Sequence, residues 1–141
     1  MVDPRVTELF GAYLEHSPFA KLLGLRLEEM EPEKAVVVLP YREELTTFAD
    51  VVHGGAIATL VDLSAVAAAW SAVTEAGSTT GATVSSSVNF ISAARASDLI
   101  ATARVSRRTG SFCFCEVDVT DAGERLIAQA IATYKIAGST P

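Results

Sequence analysis

Cysteine and histidine are scarce in this chain. Cys113 and Cys115, in "SFCFCEV", are the only two cysteines among 141 residues, and His16 and His53 are the only two histidines. No zinc-ligand spacing can be assembled from them, so neither a metal nor another cofactor is expected. On a strand the two cysteines share a face. A disulfide between them would be strained, so they read as small core residues of a reduced, cytoplasmic protein. Basic residues are also few: 11 Lys and Arg stand against 17 Asp and Glu, for a net charge of -6. That balance excludes nucleic acid and an anionic membrane as bulk partners, and leaves an anionic small ligand open where basic residues cluster. There is no G-x-G-x-x-G, no Walker motif and no G-x-S-x-G elbow, so dinucleotide, P-loop and serine-elbow chemistry lose their signatures. The opening "MVDPRVTELF" has no apolar run of the kind a signal peptide needs.

What the chain does have is apolar residues, 50% of the total. Its length suits one domain, taken as residues 1–141. So much apolar surface in a small domain points to burial between subunits. "DPRVTELFGAYLEHSPFAKLLG" carries Val6, Leu9, Phe10 and Tyr13 at helical spacing, with a break at Pro18. "LRLEEMEPEKAVVVLP" reads as two short strands joined near Pro32, and "YREELTTFADVV" as a polar, irregular approach. From about Gly54 to Thr74 the chain has helix length, no proline and many alanines. This helix is apolar nearly all round and must be enclosed. Asp62 at its middle and the lack of basic flanks argue against a membrane span.

The pattern then switches to period two. Val84, Val88 and Phe90 fall on one face of the first strand. Leu99, Ala101, Ala103 and Val105 do so next, then Cys113, Cys115, Val117 and Val119, and finally Leu126, Ala128, Ala130, Ala132 and Tyr134. Short links such as "RRTGS" and "TDAGE" make hairpins. The expectation is an α+β domain: an antiparallel sheet wrapped around one long helix, preceded by a short N-terminal helix.

Chemistry gathers at "HGGAIATLVD". His53, Gly54 and Gly55 precede the helix, where backbone N–H groups are unpaired and the dipole is positive. Glycines there let a ligand oxygen approach the backbone, an oxyanion-binding geometry. The bland alternative is a flexible helix entry. Asp62 is the only charged residue between His53 and Glu75. It either meets water or a subunit partner, or is a poised general base or nucleophile. Gly54 and Asp62 lie about 12 Å apart along one helix. Acting on one carbonyl therefore requires Asp62 from a neighbouring subunit, hence a twofold homodimer. Thr83, Ser85 and Ser87 on the following strand are candidate assistants. Arg104, Arg107 and Arg108, with Arg95, are either solvated charges or phosphate contacts.

"HGGAIATLVD", the apolar helix and "SVNFISAARASDLIATARV" together resemble the hotdog-fold thioesterases, in particular the phenylacetate-degradation (PaaI-type) branch of the 4-hydroxybenzoyl-CoA thioesterase superfamily. The resemblance implies a hotdog sheet, dimers that pair into tetramers, and hydrolysis of acyl-CoA to free acid and CoA, with CoA part of the substrate. It implies that the Gly54 N–H polarises the thioester carbonyl, with Gly55 and His53 beside it. Asp62 is then the catalytic carboxylate contributed across the dimer. Thr83 falls near a Ser/Thr position that orients water or the carboxylate, and Arg107 and Arg108 would flank the CoA nucleotide. Many such proteins carry Asn or Gln six residues before the motif histidine. Here that position is Thr47, whose hydroxyl replaces an amide. That departure keeps a second reading open, a non-catalytic acyl-CoA-binding module on the same fold. A hotdog dehydratase would need a placed His–Asp or His–Glu pair, which is not evident.

Overall fold

The computed structural model describes residues 1–74 and 80–137. The chain begins with α1 (Pro4–His16) and α2 (Pro18–Leu23). Asp3 caps α1 by accepting the Arg5 N–H at 2.9 Å, and Pro4 occupies the first turn, where its missing N–H costs nothing. Pro18 forces Ser17 into extended backbone and separates the two helices. Gly24 ends α2 in the left-handed conformation at φ +73°.

Strands β1 (Arg26–Glu31) and β2 (Lys34–Leu39) form a hairpin, and β5 (Thr80–Phe90), β6 (Leu99–Thr109), β7 (Phe112–Asp121) and β8 (Leu126–Ala137) follow the long helix α3 (Gly54–Trp70). The six strands make one antiparallel sheet in the order β1-β2-β6-β7-β8-β5. α3 lies along its inner face, so the expected sheet-wrapped helix is present. The segment read as an irregular approach is more ordered than expected. It holds a 3₁₀ turn (Glu43–Leu45) and a two-stranded ladder of β3 (Thr46–Phe48) and β4 (Val51–Val52). That ladder is fastened outward: the Val52 N–H donates to the Ala94 carbonyl and the His53 N–H to the Leu45 carbonyl. Ala94 is distant in sequence from Val52, so local composition does not betray this fastening.

Small side chains explain how closely helix and sheet approach. Ala65, Ala67, Ala68 and Ala69 on α3 and Ala101, Ala103, Ala128, Ala130 and Ala132 on the sheet are all buried in one cluster. Cys113 and Cys115 are free thiols in the same core. Burial in these apolar surroundings pushes the Cys115 thiol up to about 12.

α3 stops at Trp70, short of the expected Thr74. Its last carbonyls are claimed from outside the helix. Ser71 Oγ donates to the Ala68 carbonyl at 2.6 Å and Arg108 Nη2 to the Ala69 carbonyl at 2.9 Å. Ser71 Oγ in turn accepts the Glu33 N–H at 2.8 Å. These bonds satisfy the helix end and tie it to the β1–β2 turn. The stretch expected to end the helix, "EAGSTTG", falls mostly outside the described residues. No helix among the described residues is long and apolar enough to cross a membrane.

Sheet strand β5 departs from strict alternation. A bulge between Thr83 and Ser85 shifts its register against β8. Thr83, although exposed, is on the α3 side with its hydroxyl on Asp62, Val84 is 56% exposed, and Val88 packs against the core. The expected sharing of one face by Val84 and Val88 is therefore broken by one extra residue. β5 is also an outer strand of the sheet, and nearly all of its residues are exposed.

Candidate active site

The start of α3 is built around His53. Its ring Nδ1 accepts the Gly55 N–H at 2.8 Å, so the histidine serves as the helix N-cap, a role more often taken by Ser, Thr, Asp or Asn. Its own carbonyl accepts the Ala56 and Ile57 N–H groups. Accepting at Nδ1 requires that nitrogen to be unprotonated, which places the ring proton on Nε2. Gly55 is thereby committed to the cap. Gly54 is the first residue of α3, and among the described residues its N–H has no acceptor. An unspent N–H at the positive end of a 17-residue helix is suited to a developing negative charge.

A cavity of about 320 Å³ opens beside Gly54, and Thr47, Ile57, Phe90 and Ser92 contribute to its walls. Thr47, on β3, is thus brought to the same place as Gly54. The Phe90 ring lies 3.5 Å from where a Gly54 Cβ would be, a neighbour that the sequence motif does not disclose. Asp50 and Arg95 brace this end: Arg95 Nη1 donates to Asp50 Oδ1 at 3.0 Å, and the Ala96 N–H donates to the Asp50 carbonyl. The pair holds the β3–β4 turn against the segment after β5.

Two turns further along α3 is Asp62, half-buried. Thr83 Oγ1 donates to its Oδ1 at 2.6 Å. A charge-assisted bond of this length holds the carboxylate in one rotamer and leaves Oδ2 without an acceptor role among the described residues. The expected neighbourhood of Asp62 and Thr83 is present in one chain, whereas Ser85 and Ser87 lie beyond the bulge on exposed backbone. Gly54 and Asp62, eight residues apart on one straight helix, stand about 12 Å apart along its axis.

The two arginines differ. Arg107 is exposed on β6. Arg108 turns back into the fold: Nε donates to the Glu33 carboxylate at 2.9 Å, Nη1 to Cys113 Sγ at 2.7 Å, and Nη2 to the Ala69 carbonyl. Its guanidinium is occupied as a clip between β6, the β1–β2 turn and the end of α3. Nothing in "SRRTG" separates the two roles, because the acceptors come from remote segments.

A six-stranded antiparallel sheet wrapped around a long central helix is the hotdog fold. A thioesterase family protein from Silicibacter pomeroyi shares this fold with a TM-score of 0.85 at 23% identity, over 95% of this chain and 99% of that one. AziG from S. sahachiroi is 28% identical with a TM-score of 0.75, over 86% of this chain and 97% of that one. Acyl-coenzyme A thioesterase 13 of Homo sapiens is 32% identical over 125 residues, which cover 86% of this chain and 87% of that protein. The family profile of the thioesterase superfamily matches residues 49–128, and the chain belongs to that superfamily.

Proposed function

We propose that the protein is an acyl-CoA thioesterase of the PaaI-type branch, hydrolysing its substrate to free acid and CoA in a site shared by two subunits. The observation that carries this reading is the disposition of Asp62 and Gly54 along β5. The Asp62 carboxylate is bonded to Thr83 near one end of that strand, and Gly54 lies against Phe90 at the other. The outer edge of β5 has no partner strand among the described residues. An exposed edge of 11 residues is a template for pairing. In an antiparallel pairing centred on Ser87, the extra residue of the bulge brings Thr83 of one copy opposite Phe90 of the other. That pairing sets Asp62 of one subunit beside Gly54 of its partner, and closes a gap that one helix cannot.

In the shared site the Gly54 N–H holds the thioester oxygen as charge develops on it. Asp62 of the other subunit either takes a proton from the attacking water or attacks the carbonyl itself to form an anhydride. Both routes expel CoA as its thiolate. Thr83 fixes the carboxylate. Arg107, whose side chain faces solvent, is available to the CoA nucleotide, while Arg108 already serves Glu33 and α3. Two such dimers pair into a tetramer, and no further cofactor takes part.

The test is release of CoA followed with a thiol-reactive chromophore. Asp62→Asn keeps the shape and the bond from Thr83 but removes the base, and hydrolysis should fall to background. Wild-type turnover in that variant would sink the assignment. The binding-module reading draws on Thr47, whose single hydroxyl stands beside Gly54. It predicts that acyl-CoA binds to the wild type without hydrolysis across aryl, short, medium and long acyl groups.

A further inference from the structure

A second cavity, also about 320 Å³, lies on the Asp62 side of α3. Phe10 and Tyr13 of α1, Val66 and Trp70 of α3, Gly81 of β5 and Tyr134 of β8 line it. Val66 and Trp70 follow Asp62 at one-turn intervals on the same face of the helix. Gly81 precedes Thr83 by two residues, and Tyr134 is the cross-strand partner of Thr83. The cavity therefore lies next to the Asp62–Thr83 pair, on the side towards the end of α3.

Towards the end of α3, two of the lining side chains are bonded to each other. Trp70 Nε1 donates to the Tyr134 hydroxyl at 3.0 Å, and Tyr134 is only 5% exposed. Gly81 is what leaves room for this pair, because a Cβ there would overlap the Tyr134 ring and hydroxyl. Among the described residues, no charged side chain lines the cavity. Burial, with the Asp62 charge adding to it, holds the Tyr134 phenol above its ordinary value, so it stays neutral at physiological pH.

We propose that this cavity receives the acyl group and that the hydrogen-bonded Trp70–Tyr134 pair is its floor, setting an upper limit on acyl length. The proposal rests on the thioesterase reading for its substrate. From Asp62 to Trp70 the helix advances about 12 Å. A stretched chain gains ~1.2 Å per bond, taken from three backbone bonds per extended residue. The floor thus stops an acyl chain at about ten carbons, and the space equally suits a single aromatic ring. The uncharged lining disfavours acyl groups that carry a second carboxylate.

Two measurements test this separately from catalysis. Trp70 is the only tryptophan in the chain, so its fluorescence reports on the floor alone. Titration of the Asp62→Asn protein with hexanoyl-CoA or octanoyl-CoA should shift or quench that emission to saturation, and free CoA should not. In the active protein, Trp70→Ala should raise kcat/KM for dodecanoyl-CoA relative to hexanoyl-CoA by about tenfold or more, while Val66→Phe narrows the cavity and shifts the preference towards shorter chains. Should Trp70→Ala fold poorly, the Val66→Phe profile and the titration still decide. Hydrolysis of acyl-CoAs with no Trp70 response and no change of length profile in either variant would overturn the floor and leave the thioesterase reading intact. A saturating Trp70 response to acyl-CoA with no hydrolysis by the wild type would uphold the pocket and overturn the thioesterase reading.

Discussion

Proline at position 54 would remove the proposed oxyanion donor with little other change. Gly54 is the first residue of α3, so its N–H has no intrahelical acceptor to lose, and proline is well tolerated at that position. The preceding His53 already holds φ -62° and ψ 135°, the extended backbone that a residue before proline requires. A Cβ at position 54 meets the Phe90 ring at 3.5 Å, which is ordinary contact. The cap from His53 to the Gly55 N–H is untouched. Stability should therefore change by about 1 kcal/mol or less. With an unfolding entropy of ~2 cal/mol/K per residue, that corresponds to a Tm shift of roughly 3 °C for a chain of this length. The rate should respond very differently, because loss of one oxyanion donor costs ~10²–10³ in kcat. Gly54→Ala keeps the N–H and should stay within a few-fold of wild type. Initial rates of CoA release, read beside thermal melts of the same samples, separate the two effects. If Gly54→Pro melts like the wild type and turns over within tenfold of it, the Gly54 N–H is not the donor and the reasoning fails.

Subunit exchange tests the shared site directly: equal amounts of Gly54→Pro and Asp62→Asn, each inactive alone, should regain about a quarter of wild-type activity, because half the dimers are mixed and each mixed dimer has one intact site. Activity that never exceeds the sum of the separate proteins would place both groups in one subunit. Thr83→Val removes the 2.6 Å bond to Asp62 and should lower kcat by ~10–100-fold, since bonds to a charged group are worth about 1.5–3 kcal/mol. Thr83→Ser should recover most of the loss, and full activity in Thr83→Val would show that the carboxylate needs no support. Burial raises the Cys115 thiol from an ordinary 9.0 to about 12, so between these limits the unfolded chain releases a proton that the folded one keeps. Stability through this group is full below about pH 9 and falls as pH rises towards 12. Urea midpoints measured across that range should decline more steeply for the wild type than for Cys115→Ala, and parallel curves would contradict the assignment.

The parts of the fold that were legible in the sequence are those governed by local pattern. α3 stood out because a long apolar run without proline contains one charge. β6, β7 and β8 stood out because most of their buried residues recur every second position, as Leu99, Ala101 and Ala103 or Cys113, Cys115, Val117 and Val119 do, although in β8 it is Ile127 rather than Leu126 that is buried beside Ala128, at a register shift. Gly54 and Asp62 were accessible through a motif whose spacing carries chemistry, and Thr83 through its place on the following strand and the family resemblance. Arg108 was not, because its partners Glu33, Ala69 and Cys113 come from three other segments. The cap made by His53 was hidden for another reason. Histidine is an uncommon N-cap, so residue type pointed towards catalysis when the Nδ1 bond to the Gly55 N–H gives it a structural task.

An irregular strand, β5, is the one on which the candidate site depends. In an unbroken strand, residues of opposite parity face opposite sides, so Thr83 and Val88 could not both point inward. The bulge after Thr83 adds the residue that reconciles them. Val88 keeps its packing against the core while Thr83 reaches Asp62. Removing the extra residue would either turn Thr83 out to solvent or pull Val88 from the core, and the carboxylate would lose its anchor in the first case. A period-two reading treats such an interruption as noise in a weak strand. Physically it is the step that lets an exposed edge strand, free to pair with a second copy, hold Asp62 on one side of the pairing axis and Phe90 against Gly54 on the other.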